Sequence, residues 1–79
     1  MVSQSREVMK NAITNYIADR LCEDDTLIHE YIRAATVRNS RYCMRIIKSA
    51  IDDDLLARRI CDEIYRRFSD EISEGMSCN

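Results

Sequence analysis

The sequence predicts an all-α fold, a small bundle of four helices in a single helical domain that spans residues 1–79. The chain has no proline and only one glycine, Gly75, so it lacks the residues that tight β-turns need. Its apolar residues recur at intervals of three and four, which is the spacing of one helical face. Asp, Asn and Ser interrupt this spacing, and these residues cap helices and form short connections.

The first two predicted helices cover residues 5–22 and 26–37. Ser3 or Ser5 is the candidate cap of the first helix, and Asp24, Asp25 or Thr26 can cap the second. The apolar face of the first helix comprises Met9, Ala12, Ile13, Tyr16, Ile17 and Leu21. The face of the second comprises Leu27, Ile28, Tyr31, Ile32 and Ala35. The second helix has only about three turns and therefore needs tertiary packing to persist.

The third predicted helix covers residues 40–51 and is capped by Asn39 or Ser40. Its apolar residues are Tyr42, Cys43, Ile46, Ile47, Ala50 and Ile51. A break is expected at residues 52–54, because a continuous helix would place Asp53 and Asp54 inside the apolar stripe. The alternative is one long, kinked helix over residues 40–73.

The fourth predicted helix covers residues 54–73. Its apolar face comprises Leu56, Ala57, Ile60, Cys61, Ile64, Phe68 and Ile72. On the opposite face, basic and acidic residues alternate at four-residue steps from Arg58 to Glu74, a pattern that allows i,i+4 ion pairs. Gly75 is expected to end the helix in a left-handed cap. Residues 75–79 are expected to form a flexible tail, in which Cys78 is a free thiol.

Charge is segregated along the chain although the net charge is only -2. Residues 1–30 carry three basic and six acidic groups, and residues 52–79 carry four basic and eight acidic groups. The segment between them carries five basic groups and no acid: Arg33, Arg38, Arg41, Arg45 and Lys48. These five residues are the candidate partner-binding site, a surface for an anionic partner.

Four of these residues, Arg38, Arg41, Arg45 and Lys48, are spaced by three, four and three positions, so one helix would align them in a single stripe. Arg38 joins the stripe only if the break near Asn39 is gentle. The partner would be an acidic protein surface or nucleic-acid phosphate. In the alternative interpretation, the stripe is a solvated face whose charges pair with the acidic first and fourth helices.

No metal site, cofactor or catalytic residue is expected. The four cysteines, Cys22, Cys43, Cys61 and Cys78, lie 17 to 21 residues apart, and zinc sites normally use closely spaced ligand pairs. The first three are interpreted as mostly buried apolar residues. His29 is the only histidine, and no Cys or Ser is placed by local spacing to form a catalytic pair with it. The Asp52–Asp54 cluster is explained by helix capping.

These observations favour a non-catalytic protein-binding factor: a small adaptor, regulator or inhibitor that covers a partner surface, in the style of small phage or mobile-element proteins. The alternative is a nucleic-acid-binding regulator that uses the basic stripe at residues 33–48. The pI of about 5.3 counts against this alternative. An enzyme acting on a small-molecule substrate is not expected.

Self-association is also expected, because a chain of this length is only marginally stable as a monomer and its fourth predicted helix is long. The predicted form is an antiparallel homodimer in which helix one or helix four packs across a two-fold axis. A monomeric bundle is the alternative. No targeting signal or membrane-spanning run is evident, which predicts a cytoplasmic protein without membrane contact.

Overall fold

The computed structural model describes the backbone of residues 2–77 and the side chains of residues 6–77. The described residues form five helices: α1 (Val2–Cys22), α2 (Asp25–Thr36), α3 (Ser40–Ala50), α4 (Asp54–Arg67) and α5 (Ser69–Ser77). No strand occurs among them, so the all-α prediction is confirmed. The predicted number of four helices is wrong, because the fourth predicted helix consists of α4 and α5.

The three predicted breaks between the first four helices are confirmed, and each has a side-chain cap. Asp24, Asn39 and Asp53 accept hydrogen bonds from the backbone N–H three residues later, at 3.2, 3.1 and 3.0 Å. Each bond satisfies a donor that the first helical turn leaves without an intrahelical partner. Residues 51–53 are not helical, so the alternative of one long helix over residues 40–73 is wrong.

The break between α4 and α5 falls at Phe68, inside the predicted fourth helix. Phe68 still donates its backbone N–H to the Ile64 carbonyl at 3.1 Å, but the chain turns there and α5 packs against α2. The turn lets Ile72 become 99% buried and brings Met76 against the core. The turn is stabilised by the burial of Ile72 and Met76 against other helices. The chain can therefore bend at Phe68 without a proline or glycine there.

Gly75 is not the left-handed cap that the sequence predicts. It lies within α5 and does not have a positive φ angle. An added Cβ at this position would lie 2.8 Å from Cγ2 and 2.9 Å from Oγ1 of Thr36, at the end of α2. Gly75 therefore allows α5 to approach α2 closely. The segment predicted as a tail from residue 75 is helical as far as Ser77, and Cys78 lies outside the described residues.

Helix α1 begins at Val2, so Ser3 and Ser5 lie within it, and their prediction as caps is wrong. Its predicted apolar face is only partly correct. Ile17 and Leu21 pack against the core, but Met9 is 65% exposed and Tyr16 is 63% exposed. The face toward α4 instead buries Thr14 and Ala18, whose small side chains permit close packing. The Thr14 hydroxyl is satisfied by the Lys10 carbonyl at 2.8 Å.

The core lies between α2, α3 and α4, and α1 and α5 cover its flanks. Its fully buried large side chains are Tyr31, Ile47, Ile60, Ile64 and Ile72. The predicted faces of α2 and α4 supply most of this core. On α3, Cys43, Ile46 and Ile47 are buried as predicted, whereas Tyr42 and Ala50 are exposed. Because most of these faces are correct, the one unpredicted break, at Phe68, does not change which residues meet in the centre.

Arg67 joins α1 to α4. Its guanidinium donates to Asp19 on α1 at 2.6 Å and to Glu63 on α4 at 2.8 Å. The hydrogen bond from Arg67 lowers the pKa of Glu63. Arg59 lies 3.7 Å from Glu7, farther back on both helices, so α1 and α4 run side by side in the same chain direction. The resulting molecule is elongated, with extents of 47 × 23 × 21 Å.

Candidate partner-binding surface

The turn at residues 37–39 sets the positions of the predicted basic residues. The Asn39 N–H donates to the Ala34 carbonyl at 2.9 Å, and the Arg38 N–H donates to the Ala35 carbonyl at 3.0 Å. These two bonds are those of a Schellman motif, which ends a helix with one residue in the left-handed conformation. That residue is Arg38, whose φ is 59°. The motif reverses the chain and places α3 against α2.

The five predicted site residues therefore fall on three elements. Arg33 lies in the last turn of α2, Arg38 lies in the turn, and Arg41, Arg45 and Lys48 lie on α3. All five residues are exposed. The gentle break that would align Arg38 with the α3 stripe is not observed, because its left-handed backbone takes it off the helix.

Lys48 is the one member of the stripe that pairs internally. Its ammonium lies 2.8 Å from a carboxylate oxygen of Asp54 in the first turn of α4, and this contact lowers the pKa of Asp54. Within residues 6–77, none of the four arginines forms an ion pair with an acid. The internal-pairing interpretation of the stripe thus holds for Lys48 alone.

Two exposed apolar side chains lie among three of these arginines. An open hollow of about 380 Å³ is lined by Arg33, Val37, Asn39 and Tyr42, together with Glu30 and Ala34. A smaller hollow of about 190 Å³ shares Asn39 and Tyr42 and adds Arg41 and Arg45. We define the arginine surface as Arg33, Val37, Asn39, Arg41, Tyr42 and Arg45. It combines positive charge with apolar contact area, since Val37 is 67% exposed and Tyr42 is 41% exposed.

The sequence pattern does not predict the apolar part of this surface. It places Tyr42 on the buried face of the third helix and gives Val37 no role. One feature of the sequence could have indicated that Val37 is exposed. Val37 follows the last residue of a short helix and precedes a polar turn, so it does not extend the buried face formed by Ile28, Tyr31 and Ala35. For Tyr42 the amphipathic side chain is the only signal, because its ring suits the edge of a core as well as an interface.

Arg38 borders a different, mostly apolar hollow of about 270 Å³ whose lining includes Tyr31, Cys43, Cys61 and Tyr65. The Tyr31 hydroxyl donates to the Cys61 carbonyl at 2.6 Å. Burial raises the pKa of the Tyr31 phenol and of both thiols, and that of Cys43 reaches about 11. These groups stay protonated near neutral pH and are poor nucleophiles.

His29 lies outside both surfaces. It is exposed, and its Nδ1 lies 3.2 Å from the Asp25 carbonyl one turn earlier on α2. The contact of His29 that the structure describes is therefore with the backbone of its own helix, α2. Across the described part of the chain, no three His, Cys, Asp or Glu side chains are grouped so that they could hold a metal ion.

None of the helices over residues 2–77 combines the length and the apolar character needed to cross a membrane. In comparisons with protein-family models, with curated proteins and with solved structures, the chain has no match.

Proposed function

We propose that this chain is a non-catalytic binding protein that docks its arginine surface on an acidic patch of a partner protein. The observation that carries the proposal is the placement of Arg33, Arg41 and Arg45 around exposed Val37 and Tyr42. In the described structure, no acid neutralises these three guanidinium groups. Guanidinium groups bind carboxylates with two parallel hydrogen bonds, so exposed and unpaired arginines are suited to such a patch.

The apolar component favours a protein partner over nucleic acid. Tyrosine and arginine are enriched among the residues that contribute most to protein–protein binding, and they act from desolvated positions at the centre of an interface. Val37 and Tyr42 supply the apolar contact area of such a centre, and Arg33, Arg41 and Arg45 lie directly beside them. Glu30 lines the larger hollow and Asp54 neutralises Lys48, so the unpaired positive charge of this side of the molecule is limited to the arginines.

The proposed absence of catalysis is supported by the state of the candidate nucleophiles. Cys43 and Cys61 lie within the bundle and have raised pKa values, and His29 contacts only its own helix backbone among its described contacts. A nucleophile in an active site is normally activated by a neighbouring base or by a lowered pKa. The Cys43 and Cys61 thiols instead have raised pKa values, so neither is activated as a nucleophile.

The test is capture of partners from a lysate of the source organism by the tagged chain and by single charge reversals. Arg41→Glu and Arg45→Glu are expected to lower the yield of a specific protein partner at least tenfold, because each replaces an attraction with a repulsion. Lys10→Glu is the matched control: it makes the same charge change at an exposed position on α1. Capture of the same partner by all three variants at the level of the unmodified chain contradicts the proposal.

A nuclease arm and a gel-shift titration with a non-specific DNA duplex test the alternative function. If the proposal is correct, nuclease treatment leaves the captured protein in place and the duplex is not shifted. Binding of the duplex that weakens steeply with salt and is lost in Arg41→Glu would instead support a nucleic-acid-binding regulator.

The predicted self-association requires a different surface. The arginine surface carries charge of one sign, so two copies of it would repel each other. The apolar residues that remain exposed on α1 meet that requirement.

A further inference from the structure

Helix α1 carries a stripe of exposed apolar side chains that no other described element covers. Val8, Met9, Ile13 and Tyr16 are 68%, 65%, 48% and 63% exposed. With Ala12, which is also exposed, they occupy one side of α1 over an arc of roughly 140° at about 100° per residue. We call this set the α1 stripe. The side of α1 that packs on α4, with Thr14 and Ala18, lies opposite.

The continuity of the stripe separates it from ordinary surface exposure. Single exposed apolar residues are common in soluble proteins, but contiguous patches mark contact surfaces. Among the described residues, the other exposed large apolar side chains away from the arginine surface are Leu55 and Tyr65, which are 78% and 44% exposed. They lie ten positions apart on α4 and form no contiguous patch. Helix one and helix four were the two candidates for the dimer interface. The contiguous patch lies on helix one, so the interface is assigned to α1.

The charges at the ends of the stripe indicate what covers it. Arg6 lies at the N-terminal end, and Asp19, Arg20 and Glu23 lie at the C-terminal end. Asp19 accepts a hydrogen bond from Arg67 of its own chain with one carboxylate oxygen, but its side chain is 65% exposed, so the second oxygen is accessible to a cation of another copy. If two copies pair with opposite chain directions about a point between Ala12 and Ile13, Arg6 faces Asp19 of the second copy. A parallel pair would instead bring Arg6 against Arg6 and Asp19 against Asp19. The pattern is self-complementary only in the antiparallel arrangement.

We propose that the α1 stripe binds the α1 stripe of a second copy of this chain, antiparallel and across a two-fold axis near Ala12 and Ile13. Ala12 lets the two helix backbones approach, and Met9 of each copy packs against Tyr16 of the other. Such an isologous contact uses one patch twice and closes on itself, so it stops at a dimer. This surface is separate from the arginine surface, which stays open for its partner.

Sedimentation equilibrium from micromolar to millimolar concentration tests the dimer. The unmodified chain is expected to reach twice its 9.3 kDa mass. Met9→Glu is expected to raise the dissociation constant at least tenfold, because it puts two carboxylates in an apolar contact. Leu55→Glu is the matched control: it makes the same kind of change at an exposed apolar residue outside the stripe, and it should dimerise normally.

Two results overturn the dimer: a mass of 9.3 kDa for the unmodified chain at every concentration, or undiminished dimerisation of Met9→Glu. Circular dichroism of each variant establishes that it is folded. Because Met9 is 65% exposed, its replacement removes little intramolecular packing. Capture of a protein partner by Met9→Glu would show that the arginine surface works without the dimer.

Disulfide cross-linking tests the chain direction. Met9→Cys and Tyr16→Cys are each made with Cys78→Ser, and the chain with Cys78→Ser alone is the control. Oxidation of an equal mixture should give a cross-link between positions 9 and 16, whereas each variant alone should give little dimer. Efficient cross-linking of Met9→Cys with itself would show a parallel pair and overturn the proposed arrangement, because antiparallel helices hold these positions several residues apart.

Discussion

Arg38 occupies a backbone conformation that normally selects glycine. Its φ of 59° is left-handed, and the Cβ of an L-residue then approaches the following carbonyl, at a cost of about 1–2 kcal/mol. The Schellman hydrogen bonds from Arg38 and Asn39 hold it there. The sequence pattern alone aligned Arg38 with α3 and missed this conformation.

Arg38→Gly is expected to raise the free energy of unfolding by about 0.5–1 kcal/mol, because glycine adopts the left-handed conformation without a Cβ clash. The gain is less than the full strain, since glycine also adds entropy to the unfolded chain. Urea denaturation monitored by circular dichroism measures it. Arg38→Ala is the control, since it removes the guanidinium and keeps the Cβ. Equal stability of the two variants would show that Arg38 is not strained.

At the scale of an element, α5 is attached by close packing rather than by local signals. Gly75 on α5 faces Thr36 on α2, and the Thr36 hydroxyl donates to the Ile32 carbonyl at 2.8 Å. That bond, together with β-branching, fixes the Thr36 side chain, so it cannot move aside easily. The sequence does contain one local signal for the start of α5. Its first turn carries Ser69, Asp70 and Glu71, and acidic residues are favoured in the first turn of a helix.

Gly75→Ala is expected to lower the free energy of unfolding by about 1–2 kcal/mol, although alanine favours helices by about 1 kcal/mol over glycine. The added Cβ would lie within 3 Å of Thr36, and the clash outweighs the propensity. In a Thr36→Ala background the same change should be neutral or stabilising, which a double-mutant cycle measures. Ser73→Ala, at an exposed position of α5, is the control and should change stability by less than about 0.5 kcal/mol. A similar loss in both backgrounds would contradict the Gly75–Thr36 contact.

At the scale of the whole molecule, one buried group links three helices. Tyr31 on α2 donates its hydroxyl to the Cys61 carbonyl on α4, and the Cys43 thiol on α3 lies 3.7 Å from the Tyr31 carbonyl, to which it donates. Both thiols are thus part of the packing: Cys43 is buried, as the sequence predicts, whereas Cys61 is only half-buried. Access to Cys43 requires these helices to separate.

Alkylation of Cys43 is therefore expected to report global unfolding. At about pH 8 its thiolate is scarce, since burial raises its pKa to about 11. Iodoacetamide should label half-buried Cys22 faster than Cys43 in the native protein, and both at similar rates in denaturant, as read by peptide mass spectrometry. Tyr31→Phe, which loses one hydrogen bond, should speed Cys43 labelling several-fold. Rapid labelling of native Cys43 would contradict the described core.

The sequence by itself determined the helical class, three of the four breaks and most of the core faces. Capping by Asp24, Asn39 and Asp53 acts over three residues, so it can be recognised without knowledge of the fold. The sequence also located the block of positive charge. Only the tertiary structure decided that the chain turns at Phe68 and that α1 buries Thr14 and Ala18 instead of Met9 and Tyr16. It also decided that, within the described residues, Lys48 is the one predicted site residue that forms an ion pair. These outcomes depend on contacts between residues distant in sequence, and local periodicity contains no information about such contacts.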